Sequence, residues 1–400
     1  MPNCLQINKW FFPVAVIILF FVMLYCYFSP AVSVNKDNGT LFPLRIRVAH
    51  VVNTVELSAP CLVKIEDADT GKVLSEKNVF KKAIVSIAAE GKIKIGDEIF
   101  NACSVRIVPD GDVHIIVGRM KYRGTITLLA KADGIDVVNT LDIEDYLKGV
   151  LPREMNMFWP AEALKAQAIA SRSFAVSKAL GRRGKEYDLT SDTFFQVYGG
   201  VNAECWRTSR IVDGTRGMVL AYNGEILPAY FHACCGGHTE DISMVWKGHI
   251  PPLCGVKCGW CGWSPRFKWD VELRAGEFSE KLNKSGYGMW EIKDIVLEER
   301  DASGRIKYLD IVSDDNKTLK LTIEDLNAVL GWGKLKSADV YIKKESDGFK
   351  IYGYGWGHGV GMCQWGALSQ GLRGRDVQSI LDFYYPGSRI ADLKRVLQRK

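Results

Sequence analysis

Short runs of alternating apolar and polar residues fill the first third of the chain. Between residues 41 and 140, runs such as "LRIRVAHVV", "VHIIVG" and "TITLLAKA" are separated by turn sequences such as "PDGD". Side chains of a strand point alternately to the two faces of a sheet, so this pattern predicts strands with one buried face. We therefore expect residues 41–140 to form a β-rich domain.

The pattern changes to a helical period after this region. Asp142 is a good N-cap for a helix in "LDIEDYLKGVLP", and Gly149 followed by Pro152 is expected to end it. Pro160 fits the first turn of a second helix, whose alanine-rich sequence continues to Leu180. The two elements predict a pair of helices joined by a short connection.

The remainder of the chain mixes both kinds of element. Strand-like runs occupy much of 270–350, a short helix is expected near 322–330, and "CQWGALSQGL" predicts another helix. No period of 20–50 residues repeats. The predicted fold class is α+β, with the β-rich N-terminal domain followed at 141–400 by a mixed α/β catalytic domain with a substrate cleft.

An uncharged apolar segment precedes these domains. Residues 10–28, "WFFPVAVIILFFVMLYCYF", are long enough to cross a bilayer, and no small-residue cleavage pattern follows them closely. We predict a single-pass signal anchor at 10–28, a short cytoplasmic tail at 1–9 and a linker at 29–40. The protein would then be fixed to the cell membrane, with its domains on the extracytoplasmic side, in the periplasm or towards the cell wall.

Overall composition is that of a globular protein. Hydrophobic residues make up 47% of the 400 residues, and the formal net charge is +6. This charge is small for the length and gives no nucleic-acid signature. A nucleic-acid partner is therefore not expected.

Residues 353–363, "GYGWGHGVGMC", have glycine at every second position from 353 to 361. In an extended strand this places Tyr354, Trp356 and His358 on one face and leaves the other face bare. The spacing nowhere gives the G-x-G-x-x-G of a dinucleotide site. A strand pressed tightly into the core is the alternative to a binding surface.

Five of the eleven cysteines lie between residues 234 and 261. Together with His232 and His238, they offer pairs of soft ligands at spacings that tetrahedral zinc prefers. One or two disulfides are the default for cysteines outside the cytoplasm. Spacing alone leaves both interpretations open.

One acidic residue stands out in the connection between the two helices. Glu154, in "LPREMNMFWP", neighbours Met155, Met157, Phe158 and Trp159. Partial desolvation among apolar side chains would raise its pKa and keep a proton available near neutral pH, as a general acid requires. The alternative is an ordinary solvated loop carboxylate.

Five sequence blocks, in this order, resemble those of the stage II sporulation protein D family, also called the amidase-enhancer family. They cover roughly residues 140–390. The blocks are "EDYLKGVLPREM" (144–155), "WPAEALKAQAIASRSFAV" (159–176), "FQVYGG" (195–200), "YFHACCGGHTED" (230–241) and "GYGWGHGVGMCQWGAL" (353–368).

This resemblance implies a lytic transglycosylase that cleaves peptidoglycan glycan strands, preferably strands without stem peptides. The catalytic glutamate of the family falls on Glu154. Hydrolysis of a glycosidic bond ordinarily needs two carboxylates. A lytic enzyme instead lets the C6 hydroxyl of the sugar attack and form a 1,6-anhydro product, so one residue can act as acid and then as base.

The resemblance also suggests residues that contact the substrate or a metal ion. Arg172 could equally be a structural ion-pair partner. Zinc would lie near the cleft, with His232 and Cys254 as substitute ligands and disulfides still the competing interpretation. The expected substrate contacts are Arg172, Gln196, Tyr354, Trp356, His358 and Gln364, and the expected zinc ligands are Cys235, His238, Cys258 and Cys261.

Two other functions stay open at this point. The protein could be a non-catalytic module that binds glycan and stimulates a cell-wall amidase, or a zinc-dependent cell-wall hydrolase. The expected partners are glycan strands, the cytoplasmic membrane through the anchor and, for the non-catalytic module, a cell-wall amidase.

Overall fold

The computed structural model of the protein describes residues 39–78, 80–192, 195–288 and 291–398. The predicted tail and anchor, residues 1–28, lie outside these ranges. Over the described residues, no helix combines the length and the apolar character needed to span a bilayer.

Alternating strands form two antiparallel sheets in the first part of the described chain, as their sequence pattern predicts. Alternate residues such as Leu44 and Ile46, or Val63 and Ile65, point inward and are fully buried. The strands are β1 (Pro43–Val52), β2 (Val55–Ala59), β3 (Val63–Asp67), β4 (Val73–Lys77), β5 (Phe80–Ile87), β6 (Ile93–Ile95), β7 (Glu98–Ile99), β8 (Ser104–Pro109), β9 (Ile115–Val117), β10 (Met120–Tyr122), β11 (Thr125–Lys131) and β12 (Gly134–Asp142).

The larger sheet extends beyond this β-rich region. Its order is β13-β1-β12-β11-β8-β3-β4, where β13 is Leu189–Thr190, and the second sheet has the order β10-β9-β2-β5-β6-β7. β13 pairs in parallel with β1, and residues of both helices that follow β12 join the same hydrophobic core. The sheets therefore share their core with the segment after residue 140, and the division into domains at that point stays a prediction.

Helix α1 (Ile143–Glu154) follows β12 directly, with Asp142 as its N-cap. The prediction that it ends at Gly149 is wrong, because the helix continues through Pro152 to Glu154. A Cβ at Gly149 would lie 2.7 Å from the ring of Tyr198. Close packing, rather than helix termination, thus explains the glycine, and the longer helix places Glu154 at its last position.

Helix α2 (Ala161–Leu180) begins after Pro160, as predicted, and is buried along most of its length. The next elements are α3 (Gly200–Ala203), α4 (Trp206–Gly214), β14 (Met218–Tyr222), β15 (Glu225–Ile226), β16 (Phe231–His232) and α5 (Ile242–Val245). Helix α2 packs against α1, α4 and β14.

A lobe with its own hydrophobic core spans residues 268–354. Two three-stranded sheets, β17-β22-β21 and β18-β19-β20, make up its framework in the described residues. Thr322 caps its second helix through a capping box, as the helix prediction near 322–330 requires. The elements are β17 (Lys268–Arg274), α6 (Ala275–Lys284), β18 (Ile292–Leu297), β19 (Tyr308–Ser313), β20 (Thr318–Thr322), α7 (Ile323–Leu330), β21 (Val340–Glu345) and β22 (Gly348–Tyr354).

The glycine-rich segment returns from this lobe to the helical region. Its prediction as one continuous strand is wrong beyond Tyr354, because four of its glycines, residues 355, 357, 359 and 361, have φ between 73° and 108°. A Cβ at Gly361 would lie 2.0 Å from the carbonyl oxygen of Tyr230. The absence of a side chain at Gly361 therefore lets this segment run against the backbone that leads into the cysteine-rich loop.

The chain ends with elements that close the helical region. Strand β23 pairs in parallel with β16, with Phe231 opposite Met362 and His232 opposite Cys363. The elements are β23 (Met362–Cys363), α8 (Gln364–Leu372), α9 (Val377–Tyr384), β24 (Arg389–Asp392) and α10 (Leu393–Leu397).

Candidate functional site

Glu154 lies where three separate segments of the chain meet. The Oε1 atom accepts a hydrogen bond from the backbone N–H of Val197 at 3.3 Å. Its Oε2 atom accepts one from Nε2 of Gln364, also at 3.3 Å. The side chain is half-buried. The structure thus gives the carboxyl two neutral donors and leaves it partly accessible.

Burial raises the pKa of Glu154, whereas the hydrogen bonds from Val197 and Gln364 act in the opposite direction. Among the described residues, neither a cation nor a second carboxylate contributes to this shift. A carboxyl without a charged partner keeps its proton to higher pH than an exposed one. Glu154 therefore has the electrostatic environment of a general acid.

A network of amide and hydroxyl groups holds the donors of Glu154 in place. Nε2 of Gln364 lies 3.4 Å from Oε1 of Gln167, and Gln167 donates to the hydroxyl of Ser171 at 3.0 Å. Gln196 accepts from the hydroxyl of Tyr146 at 3.1 Å and donates to the Ser171 carbonyl at 3.3 Å. Gln196 is only 1% exposed, so it supports the site from inside the protein. Sequence reasoning missed Gln167, although a glutamine in an alanine-rich helix was a visible signal.

Arg172 lies away from any open surface. Its guanidinium is fully buried and donates to both carboxylate oxygens of Glu144, at 2.9 and 2.7 Å. Glu144 also accepts from the backbone N–H of Gly217 at 3.0 Å. The expectation of a substrate contact is therefore corrected: Arg172 forms a structural ion pair that ties α2 to α1, the alternative that the sequence left open.

Three tryptophans pack together, and two of them lie close in sequence to Glu154 or Gln364. Trp159 packs edge to face on Trp365, with ring centroids 5.4 Å apart, and Trp263 packs on the other side of Trp365 at 5.1 Å. Trp159 belongs to the connection after Glu154, Trp365 follows Gln364, and Trp263 is 56% exposed. We call Trp159, Trp365 and Trp263 the tryptophan row.

The three aromatic residues of the glycine-rich segment do not share one face. Tyr354 packs against Phe267, with ring centroids 5.7 Å apart. Trp356 and His358 line a different feature, a cavity of about 520 Å³ that they share with Trp332 of the 268–354 lobe.

The ring of Trp356 already has two charged neighbours. The guanidinium of Arg266 lies 4.7 Å from the ring and the ammonium of Lys336 4.6 Å from it. These cations compete with a sugar for the ring. Trp356 is therefore a less open stacking surface than the sequence suggested.

His358 is held as a neutral imidazole. Its Nδ1 accepts the backbone N–H of Val360 at 3.1 Å, so the proton resides on Nε2, which donates to the carbonyl of Phe231 at 3.0 Å. Burial lowers its pKa to about 4. Both ring nitrogens are thus used in fixing the backbone between β16 and the glycine-rich segment.

Glu240 lines the same cavity and is a second candidate acid that sequence reasoning did not single out. Burial raises its pKa to about 7, although the Ser303 hydroxyl and Arg305 favour its charged form. Ser303 donates to Oε2 at 2.7 Å, the N–H of Asp241 donates to Oε1 at 2.7 Å, and Arg305 lies 3.9 Å away. With both oxygens engaged and only 3% exposure, Glu240 connects the cysteine-rich loop to the 268–354 lobe.

Four buried cysteines converge beside the start of α8. The Sγ atoms of Cys235, Cys258, Cys261 and Cys363 all lie within 4.8 Å of one another. The expectation that His238 completes this group is corrected, because its Nδ1 lies 2.6 Å from the Thr239 carbonyl and Cys363 takes its place. Four thiols suit tetrahedral zinc, so the donor set fits the metal that the sequence suggested.

Cys363 escaped prediction because it lies about a hundred residues beyond the other three. The parallel pairing of β16 with β23, which places His232 opposite Cys363, brings it to the cluster. The substitute ligands lie elsewhere. His232 directs Nδ1 to the Val360 carbonyl at 3.2 Å, and Cys254 is exposed near Asp241 and His249.

These features define a site in which a half-buried carboxyl is held by neutral donors from distant segments of the chain. Comparisons with known proteins identify the family to which such a chain is similar. Residues 131–222 match the family model described as Stage II sporulation protein, and residues 261–361 match a model described as a domain of unknown function.

Three relatives extend the similarity along the chain. An uncharacterized protein of Brachyspira hyodysenteriae is 37% identical over 278 residues, which are 69% of this chain and 74% of that protein. Stage II sporulation protein D of Bacillus subtilis is 33% identical over 300 residues, 69% of this chain and 84% of that protein. The amidase enhancer of Bacillus subtilis is 29% identical over 290 residues, 61% of this chain but 40% of that protein. The chain therefore belongs to the stage II sporulation protein D and amidase-enhancer family, as its sequence blocks predict.

Proposed function

We propose that the protein is a lytic transglycosylase that cleaves peptidoglycan glycan strands, with Glu154 as its general acid and base. One observation carries the proposal: Glu154 is half-buried, its pKa is raised by burial, and two neutral donors hold it without a charged partner. A carboxyl whose pKa is raised holds its proton to higher pH than an exposed one, and can serve first as an acid and then as a base.

The chemistry needs no second carboxylate. The protonated Glu154 gives its proton to the glycosidic oxygen as the bond from that oxygen to C1 breaks. The C6 hydroxyl of the same sugar then bonds to C1, and the Glu154 carboxylate accepts the hydroxyl proton. The product is a 1,6-anhydro sugar, and the acid returns to its starting state. An inverting hydrolase would instead need a second carboxylate to activate water.

The tryptophan row supplies a surface for the glycan beside this acid. Sugar rings pack their apolar faces on aromatic side chains, and Trp263 exposes much of its ring. Trp159 and Trp365 flank the two segments that carry Glu154 and Gln364. We infer that the glycan chain lies along this row, with the bond to be cleaved over Glu154, and that stem peptides are absent from the preferred strand.

The test is mass spectrometry of the products formed from peptide-free glycan strands. The wild-type chain should release fragments that end in a 1,6-anhydro sugar, and Glu154→Gln should reduce their rate of release by at least a hundredfold, since loss of a general acid typically costs about 10²–10⁴. Glycan binding should persist in the variant.

Glu240→Gln is the matched comparison, because it removes another buried glutamic acid with a raised pKa. This variant should retain anhydro-sugar release. If Glu240→Gln lost anhydro-sugar release while Glu154→Gln kept it, the catalytic acid would be Glu240 in the cavity. That result would refute the proposal.

A second function is favoured by the relative that bears the name amidase enhancer. In that case the protein binds glycan through the tryptophan row and stimulates a separate cell-wall amidase without cleaving the strand. Glycan binding by the wild-type chain with no product of any kind, together with faster turnover by an added amidase, would support this function over the first.

A zinc-dependent hydrolase is the least favoured of the three. Zinc held by the four clustered cysteines would polarise no substrate, because all four tetrahedral positions would be taken by thiolates. Activity that disappears in Glu154→Gln but survives treatment with a chelator would exclude it.

The proposed substrate also agrees with the predicted location. Peptidoglycan lies outside the cytoplasmic membrane, where a chain with a signal anchor at 10–28 would place its folded part. A protease added to intact protoplasts should remove this part of the chain, and its protection would contradict the proposed orientation.

A further inference from the structure

The four clustered cysteines have the geometry of a closed metal site. The shortest separation recorded among their sulfurs is 3.4 Å, between Cys235 and Cys261, and all four sulfurs lie within 4.8 Å of one another. A zinc ion bonds to thiolate sulfur at about 2.3 Å, which places the corners of a tetrahedron roughly 3.8 Å apart. A disulfide needs about 2.05 Å. The sulfur–sulfur separations, 3.4 Å at the shortest and at most 4.8 Å, include the separation expected around zinc and exceed that of a disulfide.

Hydrogen-bond donors point at these sulfurs. The backbone N–H groups of Cys235 and Gly366 both reach Sγ of Cys363 at 3.3 Å. The hydroxyl of Tyr384 lies 3.4 Å from Sγ of Cys258. Donors of this kind stabilise negative charge on sulfur, and such outer contacts are typical of metal-bound thiolates. These hydrogen bonds to the sulfurs are a second observation, separate from the convergence of the four side chains.

We propose that Cys235, Cys258, Cys261 and Cys363 bind one structural zinc ion, and that this ion fixes the start of α8 so that Gln364 meets Glu154. The second part rests on the proposed function, whereas the first does not. Cys363 is the N-cap of α8 and Gln364 is its first residue. Any shift of Cys363 therefore moves the side chain that donates to Glu154.

The ion would join three distant parts of the chain. Cys235 follows β16, Cys258 and Cys261 belong to the loop before the 268–354 lobe, and Cys363 follows the glycine-rich segment. One tetrahedral centre would cross-link these segments around the site. Because thiolates fill every position, its role is structural, with Glu154 left to do the chemistry.

The test is the zinc content of the full chain, measured by elemental mass spectrometry after gel filtration. One zinc per chain is expected. Replacement of zinc by cobalt should give the intense absorption of a tetrahedral tetrathiolate site. Cys258→Ser and Cys363→Ser should each lower zinc affinity at least tenfold. His238→Ala and Cys254→Ser should each keep one zinc per chain.

The positioning role has a separate readout. With the variant chains still folded by circular dichroism, Cys363→Ser should bind glycan like the wild type while its turnover falls and the alkaline limb of its pH profile moves. An unchanged pH profile in a zinc-free, folded Cys363→Ser variant would overturn the link to Gln364.

Other results would overturn the proposal that zinc is bound at these cysteines. A chain that carries no zinc and whose mass is four hydrogens lower contains two disulfides in place of the metal. Loss of zinc in His238→Ala, with retention in Cys363→Ser, would refute the ligand set. The two proposals fail separately: a zinc-containing chain that releases no anhydro sugar refutes only the enzymatic function, and a zinc-free chain that releases it refutes only the metal site.

Discussion

Nε2 of Gln364 lies 3.3 Å from Oε2 of Glu154, although 210 positions of the sequence separate the two residues. The contact joins the last turn of α1 to the first residue of α8. It gives the charged form of the carboxyl a hydrogen bond and so opposes the effect of burial on its pKa.

Replacement of this donor should change the pH dependence of activity. In Gln364→Met the carboxylate loses a hydrogen bond, so the pKa of Glu154 rises further and the alkaline limb of the rate profile moves to higher pH. Initial rates of anhydro-sugar release between pH 4 and pH 9 would measure the shift of this limb. Gln378→Met, on the exposed side of α9, is the control and should reproduce the wild-type profile. A limb that moves to lower pH would contradict the geometry.

Glu154 should also make stability depend on pH. Its pKa is higher in the folded chain than in the unfolded chain, so the folded chain binds the proton more tightly. The stability that this tighter proton binding gives the folded chain is fully present below the unfolded pKa, about 4.3. It is lost as pH rises through the folded pKa. Thermal unfolding of Glu154→Gln should therefore occur at a higher temperature than that of the wild type near pH 8, and the difference should disappear near pH 4. A difference that is the same at both values would refute this.

The tryptophan row and the cavity near Trp332 offer competing surfaces for glycan. Trp263→Ala should weaken binding of peptide-free glycan roughly fivefold to tenfold, or about 1 kcal/mol, because it removes the exposed ring of the tryptophan row. Trp332→Ala removes a ring that is 72% exposed beside Trp356, and it should leave affinity unchanged. Isothermal titration calorimetry would measure both. The reverse result would place the glycan in the cavity.

Gly361 provides a test of the packing in the glycine-rich segment. An alanine Cβ there would lie 2.0 Å from the Tyr230 carbonyl, at a φ of 73°. We expect Gly361→Ala to lower the free energy of unfolding by more than about 3 kcal/mol, measured by chemical denaturation.

Gly374 is its matched control. It has a φ of 78°, but a Cβ would meet nothing within 4 Å, so Gly374→Ala should cost only the left-handed backbone, about 1–2 kcal/mol. Equal losses in the two variants would show that backbone strain, and not close approach, accounts for the glycine at 361.

The sequence predicted those elements whose signals are local. Asp142 caps α1, Pro160 precedes α2, and Thr322 caps α7 through side chains within three residues of the helix start. The alternation of apolar residues likewise identified the β-rich region. These features depend on neighbours in the chain, which a sequence displays directly.

The remaining features depend on contacts between distant segments. Gly149 was predicted to end a helix, yet it is a glycine because the Tyr198 ring leaves no room for a Cβ. Cys363 joins three earlier cysteines only through the pairing of β16 with β23. The hydrogen bond from Gln364 to Glu154 joins residues 210 positions apart and was not expected. None of these partners could be inferred from spacing along the chain.

The pairing of β16 with β23 spans residues 231–363 and has the whole 268–354 lobe between its strands. During synthesis, Glu154 therefore leaves the ribosome long before Gln364, its side-chain donor. A nascent chain lacks both Cys363 and Gln364 until the glycine-rich segment has been translated. The order of the segments thus delays completion of the site until the lobe has been synthesised. Until then, an unfinished chain lacks the hydrogen bond from Gln364 to Glu154.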